Sequence, residues 1–191
     1  MTYQPYPPYQ GPQQPAYRPL PQPMSPGGQP LADFGTRLLA YLIDGALAYA
    51  VILVVSAPFW IWIMMSWMDT IQSTYADEPD FVGDLVGPLL LLELGLILFV
   101  LVAYWFYHVE YMHRSGQTVG KKLMKLRVVP IDPNARLTRG MAAKRYVVEI
   151  LGGVIIPFFS YLDGLWQLWD KPYLQTLHDK FAQTVVVKVG P

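Results

Sequence analysis

The chain has 191 residues with 14 basic and 14 acidic side chains, so its formal net charge is zero. Only 15% of its residues are charged and 53% are hydrophobic, whereas soluble domains carry roughly 25% charged residues. This composition predicts a membrane protein and gives no reason to expect a nucleic-acid partner. The absence of cysteine excludes disulfides, thiolate metal sites and cysteine nucleophiles.

Residues 1–32 form a low-complexity segment that is rich in proline, glutamine, glycine and tyrosine. Proline removes backbone donors, and the segment has too little aliphatic surface to drive collapse. We therefore predict a disordered cytoplasmic tail, followed by a transmembrane domain over residues 33–191. The sequence Pro7-Pro8-Tyr9 is similar to part of a proline-rich recognition motif, but such composition is more typical of a solvated tail without a dedicated partner.

Two apolar runs are long enough to cross a bilayer, which requires about 20 residues of helix. The first runs from about Leu38 to Met68 and contains a single charge, Asp44. Pro58 lies within this run and is expected to kink the helix or to end its regular part. The second runs from about Leu85 to Val109 and contains Glu93. The sequence thus predicts two transmembrane helices.

The distribution of charge predicts an orientation in the cell membrane. Residues 69–84, between the two runs, are acidic and contain no lysine or arginine, whereas residues 113–145 are strongly basic. Basic residues stay on the cytoplasmic side during insertion. We therefore expect the N-terminus and segment 113–145 inside the cell and the loop 69–84 outside.

A third apolar region covers residues 147–170, but its uncharged part, from Ile150 to Leu162, is too short for an ordinary span. Pro157 interrupts it, and a single crossing would place the basic C-terminal residues outside. We favour a helical hairpin that bends near Pro157 and returns the chain to the cytoplasm. A third full crossing is the alternative.

Two β-branched segments, Leu126–Val129 and Thr184–Val189, are predicted to be strands. A lone strand cannot satisfy its backbone groups, so we expect the two to pair on the cytoplasmic face. The predicted fold class is an all-α membrane protein with a small two-stranded β element.

A cluster of lysines follows Thr118, which is placed to cap a short helix. We expect the apolar side chains of this helix to lie on the membrane surface, so that Lys121, Lys122 and Lys125 bind anionic lipid headgroups.

Arg37 and Asp44 are the ionisable residues at the start of the first span. They are seven residues apart, which places them on one face of the helix. A carboxylate within lipid costs about 2.5–3.5 kcal/mol and normally has a partner. Asp44 is therefore either a proton or cation site, or part of a structural contact that fixes helix packing.

Asp179 lies three residues after Thr176, a spacing that suits a capping box at the start of a short helix. If the two strands pair, this helix is drawn back to the membrane face where Arg37 emerges. We therefore expect Arg37, Asp44 and Asp179 to form one polar cluster; the alternative is that Asp179 only caps its own helix. Further polar residues that are candidates for an accessory role are Glu93, Asp163 and His178.

Three segments in this order resemble the RDD family of bacterial membrane proteins, which is named for one arginine and two aspartates. They are Phe34–Asp44, Thr118–Val129 and Leu177–Val187. The resemblance implies a multi-pass membrane domain in which Asp179 is the second aspartate. It implies no settled molecular role, and transport is a suggestion.

These features favour a non-enzymatic protein without a cofactor or metal that transports a small ion or solute through a polar intramembrane site. Under this hypothesis Asp44 alternates between protonated and ion-paired states, and Arg37 favours its carboxylate form. So small a chain would need a homo-oligomer to build two gates. The alternative is an interaction or assembly protein for a membrane complex, in which the same polar residues fix packing. A membrane enzyme acting on lipid rests only on His178 and Asp179.

Overall fold

The computed structural model describes residues 22–73, 83 and 86–190. The fold is mostly helical with a small two-stranded sheet. The elements in chain order are α1 (Phe34–Ser73), α2 (Gly87–Trp105), a π-helical stretch (Phe106–Tyr111), α3 (Met112–Ser115), α4 (Val119–Leu123), β1 (Leu126–Pro130), α5 (Arg139–Tyr146), a second π-helical stretch (Val147–Leu151), α6 (Gly152–Ile155), α7 (Phe159–Trp166), α8 (Leu177–Phe181) and β2 (Thr184–Lys188).

Helices α1 and α2 are long and apolar enough to cross a membrane, with mean hydropathy 2.3 and 2.5 in their most apolar windows. The two predicted transmembrane helices are therefore present. Pro58 lies inside α1 and the helix continues to Ser73, so the expectation that Pro58 ends its regular part is wrong. Most of the predicted acidic loop, residues 74–82 and 84, lies outside the described residues. No residue of α2 is fully buried, but the helix contacts α1, and the Tyr146 hydroxyl donates to the Leu101 carbonyl at 2.9 Å.

The predicted strand pairing is confirmed. Strands β1 and β2 pair antiparallel, with Val128 opposite Val186 at the centre of the register. The N-terminal segment lies along the other edge of β2, where the Ala32 amide donates to the Val186 carbonyl at 2.9 Å. Leu31 and Ala32 are buried, because their apolar side chains pack against the sheet. The folded domain therefore begins before the predicted boundary at residue 33, while residues 1–21 lie outside the described part.

The segments α4–β1 and α8–β2 have the same construction. Each begins with a capping threonine, Thr118 or Thr176, followed by five helical residues. A residue in the left-handed conformation, with φ of 54°, then lies between the helix and the strand. It is Lys125 in one unit and Gln183 in the other. Val128 and Val186 hold equivalent positions in the two units and face each other in the sheet. An approximate twofold axis therefore relates the two helix–strand units.

The third apolar region forms a tight helical hairpin. Helix α6 ends before an extended Ile156, Phe158 adopts a left-handed conformation, and α7 follows. The turn thus lies where the sequence predicted a bend. A Cβ on Gly152 would lie 2.5 Å from the Phe159 ring, so the two limbs approach closely at this glycine. Among the described helices, only α1 and α2 have the length and apolarity of a membrane span.

A buried apolar core joins the sheet to the start of α1 and to α5. This core holds the C-terminal strand β2 against the N-terminal end of α1. Its buried members are Ala32, Ala40, Val109, Met112, Leu126, Val128, Ala142, Tyr146 and Val186.

Candidate functional site

Asp179 is a buried carboxylate held between two arginines from distant parts of the chain. Nη1 of Arg37 donates to its Oδ2 at 2.8 Å, and Nη1 of Arg145 donates to its Oδ1. The exposed fractions of the side chains are 8% for Arg37, 3% for Arg145 and 0% for Asp179. The structure thus brings Arg37 and Asp179 together, as the sequence hypothesis expected.

Asp179 also caps its own helix. Its Oδ2 accepts from the Thr176 amide at 3.2 Å, and its own amide donates to Thr176 Oγ1 at 3.2 Å, which completes a capping box. Burial alone would raise the pKa of Asp179, but the guanidinium groups of Arg145 and Arg37 outweigh it and hold that pKa well below its usual range. Asp179 is therefore ionised at neutral pH. It both caps α8 and pairs with the two arginines.

Arg145 is the member of this cluster that sequence reasoning missed. Its position within the basic segment 113–145 predicts an exposed side chain, yet it is buried and also donates to Thr184 Oγ1 at 2.6 Å. One signal was available in the sequence. Like Arg37, Arg145 stands immediately before an apolar run, where a basic side chain lies at the boundary of the buried region.

Asp44 does not join this cluster, so the expectation of a single group is wrong. Its Oδ2 accepts from Thr118 Oγ1 at 2.6 Å, and its Oδ1 accepts from the Gly120 amide at 2.7 Å and the Tyr107 hydroxyl at 2.6 Å. Seven residues of helix rise about 10 Å, which separates Asp44 from Arg37 along α1. Helix α1 therefore presents Arg37 to α8 and Asp44 to α4, one to each of the two equivalent units.

Tyr107 is the partner of Asp44 that is most easily tested. Its hydroxyl donates to Asp44 and accepts from the Val119 amide at 2.8 Å. We expect Tyr107→Phe to lower the free energy of unfolding by about 1.5–3 kcal/mol, because a hydrogen bond to a charged group is lost. Reversible unfolding in mixed detergent micelles measures this.

Tyr111 provides the matched control for this prediction. Its ring stacks on that of Tyr107 at 5.8 Å, but its hydroxyl has no hydrogen-bond partner in the part of the chain described. Tyr111→Phe should change stability by less than about 0.5 kcal/mol. Equal effects of the two substitutions would show that the Tyr107 hydroxyl does not stabilise the fold.

Two of the three accessory candidates meet beside the cluster. His178 Nδ1 lies 2.6 Å from Asp163 Oδ2, and the His178 amide donates to Asp163 Oδ1 at 2.8 Å. His178 Nε2 lies 3.8 Å from Asp179 Oδ1, so Asp163, His178 and Asp179 form a row from the hairpin to the arginines. Glu93 lies apart from this row: it is exposed on α2 and has no hydrogen-bond or ion-pair partner among the described residues.

The three lysines that were expected at the membrane surface separate. Thr118 caps α4 as predicted, by accepting from the Lys121 amide at 3.3 Å. Lys122 and Lys125 are exposed, which is compatible with contact to headgroups. Lys121 is only partly exposed and lines a cavity, because α4 packs against α1 on that side. The expectation that all three face the membrane surface is therefore wrong for Lys121.

A cavity of about 720 Å³ adjoins the charge cluster. Its volume is typical of small-molecule sites, which occupy roughly 300–1,000 Å³. The first turns of α1 form one wall and the α6–α7 hairpin forms another. Arg37, Arg145, Asp179, Asp163 and His178 all contribute to its lining. Among the residues described, no group of histidine, aspartate and glutamate side chains is arranged to hold a metal ion.

Comparison with protein families gives one match, to the model of the RDD family over residues 31–183, which is most of the chain. The chain belongs to the RDD family. RDD domains are membrane-associated bacterial proteins, in agreement with the two apolar helices. Comparison with curated proteins and with solved structures yields no match. The matched range of this RDD domain begins at the buried Leu31 on the sheet edge and contains Arg37, Asp44, Arg145 and Asp179.

Proposed function

We propose that this RDD protein takes part in the membrane transport of a small organic ion or zwitterion, with the cavity beside Asp179 as its binding site. The observation that supports this most directly is a cavity of about 720 Å³ that adjoins buried charged side chains of both signs. A bare ion needs no space of this size. Within the proposal the protein acts without a cofactor and is not an enzyme.

The proposed topology follows the distribution of basic residues. The N-terminus, segment 113–145 and the sheet lie in the cytoplasm, and the loop 69–84 lies outside. The α6–α7 hairpin enters the inner side of the bilayer and returns. Lys122 and Lys125 then face anionic headgroups. Because α2 buries no residue in the protomer, further copies of the chain or another membrane protein would cover part of it.

Asp44 has a structural role in this proposal, not the titrating role that the sequence suggested. Three donors occupy its carboxylate oxygens. They are Tyr107 of the π-helical stretch, and Thr118 and Gly120 at the start of α4. The cavity instead contains Glu149 and Lys121, two charged side chains that form no direct ion pair with another described residue. These side chains are available to a ligand.

Uptake into proteoliposomes of the purified protein tests the proposal. The probes are radiolabelled sodium, choline and phosphoethanolamine, and an organic probe should enter faster than into protein-free vesicles. Val154→Trp, which fills the cavity wall, should slow this uptake by about tenfold, equivalent to about 1.4 kcal/mol. Val54→Trp is the control, because Val54 is 76% exposed on α1 and does not line the cavity.

An assembly role is the second candidate function, and one observation favours it. Helix α2 has no fully buried residue and carries Glu93, an exposed carboxyl group without a described partner within an apolar span. Such a group normally faces another protein or water. The uptake experiment separates the two roles: entry of none of the three probes above the protein-free level would contradict transport and favour assembly.

A further inference from the structure

The cavity is polar at one end and apolar at the other. The polar end is formed by the buried side chains of Arg37, Arg145 and Asp179. The other end is formed by Leu42 on α1 and by the hairpin residues Val154 and Tyr161, and those three are 55%, 73% and 70% exposed. Because α1 is a membrane span, this apolar wall borders the lipid at the end of the span. A ligand that fits both ends has a charged head and an apolar part.

Several polar groups in the cavity lack partners, and they carry both signs. The lining contains three basic side chains, Arg37, Arg145 and Lys121, and three carboxyl groups, those of Asp179, Asp163 and Glu149. Both arginines pair with Asp179, and Asp163 contacts His178, so Lys121 and Glu149 are the charged pair without direct partners among the described residues. Lys121 and Glu149 both line the cavity and form no direct ion pair with each other.

Two buried atoms of residues that line the cavity also lack a hydrogen-bond partner in the described part of the protein. One is a donor, Nε of Arg37, on a side chain that is 8% exposed. The other is an acceptor, Oε1 of Gln167, whose amide nitrogen donates to the Gly164 carbonyl at 2.7 Å. Buried polar groups are nearly always hydrogen-bonded. An unpaired donor and an unpaired acceptor therefore indicate a ligand that offers both an acceptor and a donor.

We infer that the cavity binds the phosphoethanolamine head of a zwitterionic phospholipid, drawn sideways from the bilayer. The phosphate lies toward Arg37 Nε and Lys121, and the ammonium group, which donates hydrogen bonds, lies toward Glu149 and Gln167 Oε1. The start of an acyl chain follows the exposed apolar wall. This inference rests on the proposed function in one respect, that the cavity is a binding site, and it assigns the class of ligand.

Native mass spectrometry of the full-length protein in detergent tests the inference. The probes are phosphatidylethanolamine, the anionic lipid phosphatidylglycerol and free phosphoethanolamine. We expect phosphatidylethanolamine to bind at least about tenfold more tightly than phosphatidylglycerol, since a tenfold ratio needs only about 1.4 kcal/mol. Glu149→Gln should remove this preference, and Lys121→Met should weaken the binding of both lipids. Lys144→Met is the matched control, because Lys144 is exposed on α5 and does not line the cavity.

Three results would overturn the inference. They are equal binding of the two lipids to the unchanged protein, equal weakening by Lys144→Met and Lys121→Met, and binding of free phosphoethanolamine as tight as that of the lipid. The first and third results are measured on the unchanged protein. If Lys121→Met does not fold, Val154→Trp on the exposed wall is the second variant, and it should prevent lipid binding. Uptake of soluble probes without bound phosphatidylethanolamine would contradict this inference alone. Bound lipid without uptake would support it and contradict transport.

Discussion

Replacing Asp179 by asparagine should lower the free energy of unfolding by about 3–5 kcal/mol, the range measured when one partner of a buried ion pair is removed. The carboxylate is fully buried and is the counter-ion of both Arg37 and Arg145. Asparagine keeps the size of the side chain but leaves two buried guanidinium groups without a negative charge. Reversible unfolding in mixed detergent micelles measures the loss.

A matched control and a change of pH identify the cause of this loss. Asp69→Asn, at an exposed position near the end of α1, should change stability by less than about 0.5 kcal/mol. The pKa of Asp179 is depressed in the folded state. Its stabilisation is therefore fully present above the unfolded pKa of about 3.9 and is lost as pH falls toward the lower folded pKa. The difference between the unchanged protein and Asp179→Asn should thus be constant at neutral pH and shrink below about pH 4.

A double-mutant cycle separates contact from general destabilisation. Arg37→Ala and Asp179→Ala should couple by about 0.5–3 kcal/mol, because the two groups are hydrogen-bonded. Additive losses would contradict a direct interaction between Arg37 and Asp179.

Gly120→Ala is the second substitution for which we expect a large effect, a loss of about 3 kcal/mol or more of unfolding free energy. A Cβ at this position would collide with the Ala40 carbonyl oxygen and would lie 2.9 Å from the Asp44 carboxyl carbon. The carbonyl belongs to the backbone of α1 and cannot rotate away. Helix α4 would have to move outward, which also breaks the hydrogen bond from the Gly120 amide to Asp44.

Gly45→Ala is the control for this substitution. Gly45 follows Asp44 on α1, and a Cβ there would meet no atom within 4 Å. Alanine is better than glycine inside a helix by about 0.5–1 kcal/mol, so Gly45→Ala should leave stability unchanged or raise it slightly. Similar losses for the two alanine substitutions would contradict a close contact between α4 and α1. The same unfolding assay measures both.

Patterns that depend on neighbouring residues were predictable from the sequence. Two long apolar runs indicated the spans, and β-branched runs indicated both strands. The capping threonines Thr118 and Thr176 were recognisable by their spacing. The contact between Arg37 and Asp179 followed from these local patterns, because pairing of the strands brings the C-terminal helix to the start of α1.

Contacts that depend on how helices pack were not predictable in this way. A shared helix face suggested that Asp44 belongs with Arg37, but α4 packs against α1 at Asp44 and supplies donors to its carboxylate. The sequence alone does not say which lysine of α4 faces α1, so Lys121 was placed at the surface. The two units share a capping threonine and a valine ten residues later, but the left-handed conformation that joins helix to strand is at Lys125 in one and Gln183 in the other, which no common residue type indicates.

The ion pair between Arg37 and Asp179 joins residues that are 142 positions apart in the chain. The ribosome makes α1 early, so Arg37 has no Asp179 to pair with until almost the whole chain has been translated. Arg145 likewise precedes Asp179, the carboxylate that it pairs with, by 34 positions. A chain cut short before Asp179 would hold two cations without their counter-ion and would lack β2, so it would form neither the charge cluster nor the sheet.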